Sequence, residues 1–246
     1  MLASHRDGRY VLWFEADLYD QLQIIEILSR LSDLAVPASR ITLICIGEYP
    51  GIAHFGGLGE LTGAQLRELL PGAVLTPAAL DLARDAWAAF RAPSPTRLRT
   101  VAATRSGELR FLGEAFDRLS REYPSVRDGL SLAERRILAA VAEGAPDAGT
   151  AFVRAAAREA RPYLGDSSCF ALMDALVTAP VPLLSATSPV ARTTALRLTD
   201  AGARVLAGQE DHVQLNGLDR WIGGVHLYGR QVPWRWDDGT ETIVGP

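Results

Sequence analysis

Along the front of the chain the spacing of apolar positions changes several times, and each change marks an element. Tyr10-Val11-Leu12-Trp13-Phe14 is a short run of aromatic and branched residues, the composition of a strand. From Asp17 to Leu31 the period lengthens, with Leu18, Leu22, Ile25, Leu28 and Leu31 recurring at helical spacing. Pro37 and its small neighbours break that helix, and Ile41–Ile46 is a continuous apolar run that reads as a buried strand. Strand, helix and strand in this order predict parallel strands joined by a right-handed crossover. A glycine-rich loop follows from Gly47 to Leu61. Thr62 and Gln65 then have capping-box spacing ahead of a helix over 64–70. Val74-Leu75 offers a short third strand, and Thr76-Pro77 opens a helix that runs to Phe90. From Ser94 to Tyr123 the pattern is helical, punctuated by Pro95, Gly107 and Pro124.

The back of the chain has a different rhythm. A second capping box, Ser131 and Glu134, leads a helix over 132–142, and helices over 149–161 and 166–178 follow. Residues 180–185, 188–190 and 195–198 then read as strand, turn and returning strand, and Thr199 caps a helix over 200–207 that Gly208 ends. Three helices, a hairpin and a closing helix form a winged-helix pattern. The expected fold class is therefore α/β, a Rossmann-like parallel βαβ unit, followed by a mostly helical region and a winged-helix domain. The corresponding pieces are an α/β domain over 1–80, a helical connector over 81–129, a winged-helix-like domain over 130–228 and a tail over 229–246. Two or three short parallel strands are too few for a sheet covered on both faces. Either the tail from Trp221 onward adds strands to that sheet, or strands are missing from the front.

Charge and composition narrow the function classes slightly. The net charge of −4 over 246 residues gives no global pull toward nucleic acid or anionic membrane. Two cysteines, Cys45 and Cys169, are not a disulfide framework. No stretch reaches the roughly 20 apolar residues of a membrane span, and Met1–Arg9 is too polar for a secretory leader, so the expected location is cytoplasmic.

Candidate chemistry gathers at the ends of the first two strands. Parallel sheets bind ligands beyond the carboxyl ends of their strands. There the first strand runs into Glu15, Asp17, Asp20 and Gln21, and the second into Glu48. The loop Gly56-Gly57-Leu58-Gly59-Glu60 is expected over the same edge, near His54. Several carboxylates within reach of one site can hold a divalent metal, with Glu15 and Asp17 as its first ligands, or orient a polar ligand. The competing reading is local: Asp17 caps its helix and Asp20 sits in the favourable first turn. The glycine loop is not a dinucleotide fingerprint, since Thr62 stands where a third glycine belongs, and there is no P-loop motif.

The segment Asn216–Leu227 is dense in special residues. Its Asn-Gly and Gly-Gly pairs signal turns, and Asn216, Asp219, Arg220 and His226 form a secondary polar cluster. The favoured reading is an Asp219–Arg220 pair bracing a turn, with Trp221 packed beneath. For duplex binding, Arg192 and Arg197 on the wing, with Arg154, Arg158 and Arg161, are the candidate phosphate contacts. The helix over 166–178 is poor for that task, because it carries two acids and no basic residue. The histidines show no metal-ligand spacing, and no Gly-x-Ser-x-Gly elbow is present.

Val11–Leu22, Gly57–Leu61, Arg161–Asp166 and Asn216–Leu227 together resemble the bacterial family called domain of unknown function 1835. The resemblance implies membership over nearly the whole chain and no particular activity. Members usually begin with a further strand and a Gly-Asp-Ser-Ala-Ala motif, which has no counterpart here. Where the family has His, this chain has Ala16. The expectation is a front sheet short of its first strand and a ligand edge that is half built. The leading functional expectation is a protein that binds a small polar or phosphorylated molecule at the α/β edge. A metal-assisted hydrolase or transferase on a nucleotide-like substrate and a winged-helix DNA-binding regulator are the alternatives. The expected partners are a small-molecule ligand or a protein.

Overall fold

The computed structural model describes residues 8–53, 55–187 and 189–246. It is a mixed α/β chain that divides into two compact units, the first running through Ala92 and taking in Thr96–Arg118, the second containing Pro93–Pro95 and Leu119–Pro246. Residues of the 81–129 stretch contribute to both units.

In the first unit, β1 (Tyr10–Glu15), α1 (Leu18–Asp33) and β2 (Ile41–Ile46) form the anticipated strand–helix–strand. The two strands are parallel and in register from Tyr10 opposite Ile41 to Glu15 opposite Ile46. Helix α1 buries Leu18, Ile24, Ile25, Leu28 and Leu31. Each such residue stabilises the unit by about 1.5–3 kcal/mol relative to exposure. After the short α2 (Gly63–Glu68), β3 (Ala73–Val74) closes the sheet in the order β1-β2-β3. The third strand is antiparallel to β2, pairing Thr42 with Val74 and Leu43 with Ala73, which corrects the expectation of parallel strands throughout. The 26 residues between the strands are long enough for either direction, so the reversal comes from how that connection, with its six-residue α2, folds back. Helix α3 (Pro77–Phe90) packs along α1 through Ala79, Leu80, Ala83, Ala86 and Ala89, and α4 (Leu98–Ala102) and α5 (Leu112–Ser120) follow.

In the second unit, α6 (Leu132–Ala142), α7 (Ala148–Ala156) and α8 (Asp166–Thr178) precede two short antiparallel strands, β4 (Leu184–Ser185) and β5 (Arg197–Leu198), and then α9 (Asp200–Leu206). Their shared core includes Ile137, Leu138, Cys169, Met173, Leu176, Leu183 and Val205. Gly202 lets α9 lie against β4, because a Cβ there would meet the Leu183 carbonyl oxygen in van der Waals overlap. Helix α7 stops at Ala156 rather than Arg161, and the strands flanking 188–190 shrink to two residues each. Ser188, in the expected turn, lies outside the described residues.

The remaining chain adds α10 (His212–Asn216), an antiparallel pair β6 (Leu218–Ile222) and β7 (Val225–Gly229), and a second pair β8 (Arg235–Asp237) and β9 (Thr242–Val244). These strands do not join β1-β2-β3, so the tail does not complete the front sheet. Nor is the tail an exposed appendage. Trp236 is buried, its backbone N–H donates to the Pro124 carbonyl, and its own carbonyl accepts from Val126.

Candidate functional site

At the carboxyl end of β1 the chain turns directly into α1, and that turn brings three acids together. Glu15, Asp17 and Asp20 each offer a carboxylate oxygen, and these oxygens lie within 4.8 Å of one another. Each acid has a local role. Asp17 is the N-cap of α1: its Oδ1 accepts from the backbone N–H groups of Tyr19 at 2.8 Å and Asp20 at 3.2 Å. Asp20 reaches back so that its Oδ2 accepts from the Glu15 N–H at 2.5 Å. Glu15 Oε1 accepts from the Leu58 N–H at 2.7 Å, which pins the glycine loop over the edge. Gly57 makes that approach possible. Its φ of 144° lies outside the range other residues favour, and a Cβ there would collide with the Glu15 carboxylate. These bonds occupy one oxygen of each carboxylate and leave the second oxygen outside them. Burial raises the pKa of Asp17, opposed by its bonds from backbone amides and reinforced by the neighbouring charges of Asp20 and Glu15.

Beneath the triad, buried Gln21 ties the two strand ends together. Its Nε2 donates to the Glu15 carbonyl at 2.9 Å and to Cys45 Sγ at 3.3 Å. The Cys45 thiol also donates to the Glu15 carbonyl, at 3.3 Å. Burial pushes that thiol up to about 11, so it stays protonated and is not a nucleophile. The sequence placed Cys45 in the core. The structure places it half-buried under the candidate site, where only the parallel register could have revealed it.

Of the other expected ligands, Gln21 underlies the triad, while Glu48 and Glu60 are not among its members. Glu48 follows β2, and Glu60 accepts from the Gly56 N–H at 3.2 Å and so belongs to the loop's own scaffold. His54 lies outside the described residues.

The secondary cluster divides between the two faces of the β6–β7 hairpin. Asp219 and Arg220 are successive strand residues and therefore point in opposite directions, so the expected pair between them does not form. Asp219 Oδ1 instead meets His226 Nε2 at 2.7 Å on the exposed face. There Trp221 stacks on the His226 imidazole, with ring centres 4.4 Å apart, and is 65% exposed rather than packed beneath a turn. Arg220 turns inward to Glu134, whose carboxylate also accepts from the Ser131 N–H at 2.8 Å. Burial alone would raise Glu134, but Arg220 and His212 beside it prevail and hold its carboxyl down at about 2. Asn216 is structural, accepting from the Val181 N–H at 2.7 Å and donating to the Val181 carbonyl at 3.1 Å.

Several of the arginines expected at phosphates are already engaged. Arg192 Nη2 pairs with Asp166 at 2.9 Å, Arg158 pairs with Glu143, and Arg154 Nη1 donates to the Glu143 carbonyl at 3.0 Å. A cleft of about 340 Å³, including the space at its open mouth, lies in the second unit between α6 and the segment that follows α7. It is lined by Ile137, Phe152, Cys169 and, from the family-like Arg161–Asp166 segment, Pro162, Tyr163 and Leu164, with the Arg136–Glu159 pair also on its wall; none of the candidate ligand residues lines it. No helix is long and apolar enough to cross a membrane among the described residues. The chain matches no family model and no curated protein, so the motif likeness rests on the quoted residues alone.

Proposed function

We propose that the first unit binds a small polar ligand at the carboxyl edge of β1, and that a divalent cation is the species its chemistry suits best. One observation carries this reading: three half-buried carboxylates converge within 4.8 Å, and their hydrogen bonds occupy one oxygen of each. Hard oxygen donors of this kind suit Mg²⁺, Mn²⁺ or Ca²⁺, whose ligand oxygens sit roughly 3–5 Å apart around the ion. Glu15, Asp17 and Asp20 would hold the cation, and the amide-rich loop over Gly56–Glu60 would face whatever polar group it carries. The raised Asp17 fits the same picture, since a cation there would replace the proton that the cluster favours.

The test is calorimetric titration of the full chain with Mg²⁺, Mn²⁺ and Ca²⁺, paired with Glu15→Gln/Asp17→Asn. Saturable binding lost in the double variant supports the site. Heats that are equal in both proteins refute it.

We read α6, α7 and α8 with β4, β5 and α9 as a winged-helix arrangement, and the β1-α1-β2 unit as Rossmann-like. The winged-helix region serves packing or a protein partner in this proposal, because Arg192 and Arg158 are paired with acids and α8 opens on Asp166. Duplex affinity that falls steeply with salt would reverse that reading. The proposed location is cytoplasmic.

A further inference from the structure

The cleft between α6 and the segment that follows α7 lies wholly within the second unit, and most of its lining is apolar. Ile137, Phe152, Leu164 and Cys169 form the main surface, and alanines on α6 and α7 leave room that larger side chains would fill. Phe152 is held by edge-to-face packing on Phe170, with ring centres 6.2 Å apart, so it presents a fixed wall. Burial pushes the Cys169 thiol up to about 12, so it stays protonated and adds no charge. At about 340 Å³ with its mouth included, the cleft stands at the lower end of the roughly 300–1,000 Å³ of small-molecule sites, which suits a single substituted ring.

One polar feature interrupts this surface. Arg136 and Glu159 form an ion pair on the wall, with 20% and 10% of their side-chain surface exposed. The pair balances its own charge, so an occupant with a net charge would have to compete with it in a place largely shielded from water. A carboxylate would sit beside Glu159 and be repelled, and an ammonium would meet Arg136. The pair nevertheless leaves a donor unsatisfied. Arg136 Nη1 is buried and makes no hydrogen bond among the described residues, its contact with Glu159 being one of charge alone. Buried donors of this kind are rare in folded proteins, and a neutral oxygen satisfies one without adding charge.

We propose that the cleft is a binding site for a small uncharged molecule, one apolar ring bearing a carbonyl or amide oxygen. The ring packs against Ile137, Phe152, Leu164 and Cys169, and the oxygen accepts from the Arg136 guanidinium. The site belongs to the second unit alone, and it stands whether or not Glu15, Asp17 and Asp20 hold a cation.

Benzamide, toluene and benzoate share the ring and differ in what they offer Arg136. Each is titrated into the isotope-labelled full chain while backbone amide shifts are followed by NMR. Benzamide should shift the amides of α6, α7, Tyr163 and Leu164 saturably, with a dissociation constant of roughly millimolar order for so small a molecule. Toluene, which lacks the acceptor, should bind at least about tenfold more weakly, and benzoate no better than toluene. Ala156→Phe fills the cleft and should abolish the benzamide response while the rest of the spectrum stays in place. Arg136→Met/Glu159→Leu removes both charges together, which a fold tolerates better than the loss of one. In that variant benzamide and toluene should bind within about twofold of each other. Benzamide shifts that arise elsewhere, or that do not saturate by about 20 mM, overturn the proposal. Toluene or benzoate binding as tightly as benzamide also overturns it, as does a benzamide preference that survives the loss of Arg136.

Discussion

Replacing Glu134 with Gln removes one charge from a well-enclosed ion pair of the second unit and leaves Arg220 facing a neutral amide. Glu134 is 3% exposed, and Arg220 keeps less than a quarter of its side-chain surface. A carboxyl held at about 2 in the folded chain, against an ordinary 4.5, contributes about 3 kcal/mol of stability at neutral pH. Leaving the guanidinium buried without its partner costs about 3–5 kcal/mol by comparison with other broken buried pairs. The two routes agree on a loss of about 3 kcal/mol or more. The sign with pH follows from the direction of the shift. Because the folded pKa is depressed, the contribution is complete above the unfolded value of about 4.5 and disappears as pH falls through about 2. Urea titrations followed by tryptophan fluorescence, at steps between pH 7 and pH 2, give the stability of both proteins. The difference between wild type and Glu134→Gln should be flat down to about pH 5 and then shrink, since protonated Glu134 resembles the amide. Pairing Glu134→Gln with Arg220→Met should recover much of the loss. A difference below about 1 kcal/mol at pH 7, or one that does not change with pH, would refute the argument.

Two further perturbations test the first unit and the α9 contact. Asp17→Asn keeps a capping side chain but removes one of three crowded charges, so without divalent cations it should raise the melting temperature by about 2 °C and reduce any stabilisation that cations confer. The advantage over wild type should narrow as pH falls through the raised Asp17 pKa, where wild type loses the same charge; a lower melting temperature without cations would contradict it. Gly202→Ala drives a methyl group into the Leu183 carbonyl and should cost about 1–3 kcal/mol by pushing α9 off β4. Urea denaturation measures it, and a neutral result would mean that α9 can shift freely.

The parts of the fold legible in the sequence are those decided locally. Asp17, Thr62, Ser131 and Thr199 announce their helices because a cap bonds to amides two or three positions away, and all four caps form. The β1-α1-β2 unit was legible for a similar reason, since a strand, a helix and a strand of these lengths leave little topological choice. The direction of β3 was not, because it depends on how 26 residues between strands fold back, not on the two residues of the strand. The Asn216–Leu227 segment was misread because its glycine pairs drew attention to turns. Once it is seen as two strands, the period of two separates Asp219 from Arg220 without any coordinates. Glu134 could not have been named as the partner of Arg220, because the two are 86 positions apart and the capping box already explained the acid. The acidic triad was the most legible part of the site, since its three members lie within one turn of the chain.

The embrace of Trp236 by Pro124 and Val126 also bears on biosynthesis. The first unit draws its whole sheet from the segment between Tyr10 and Val74, so it can assemble while most of the chain is still untranslated. The second unit needs a strand 110 positions further along to seal the stretch just ahead of α6, so that seam closes only once the later strand has been made. During the interval the helices of the second unit stand with an open seam, the kind of exposed surface that holdase chaperones recognise and that favours aggregation. Slowing translation over the helices of the second unit would therefore lengthen the time that seam stays open and leave the earlier-made first unit untouched.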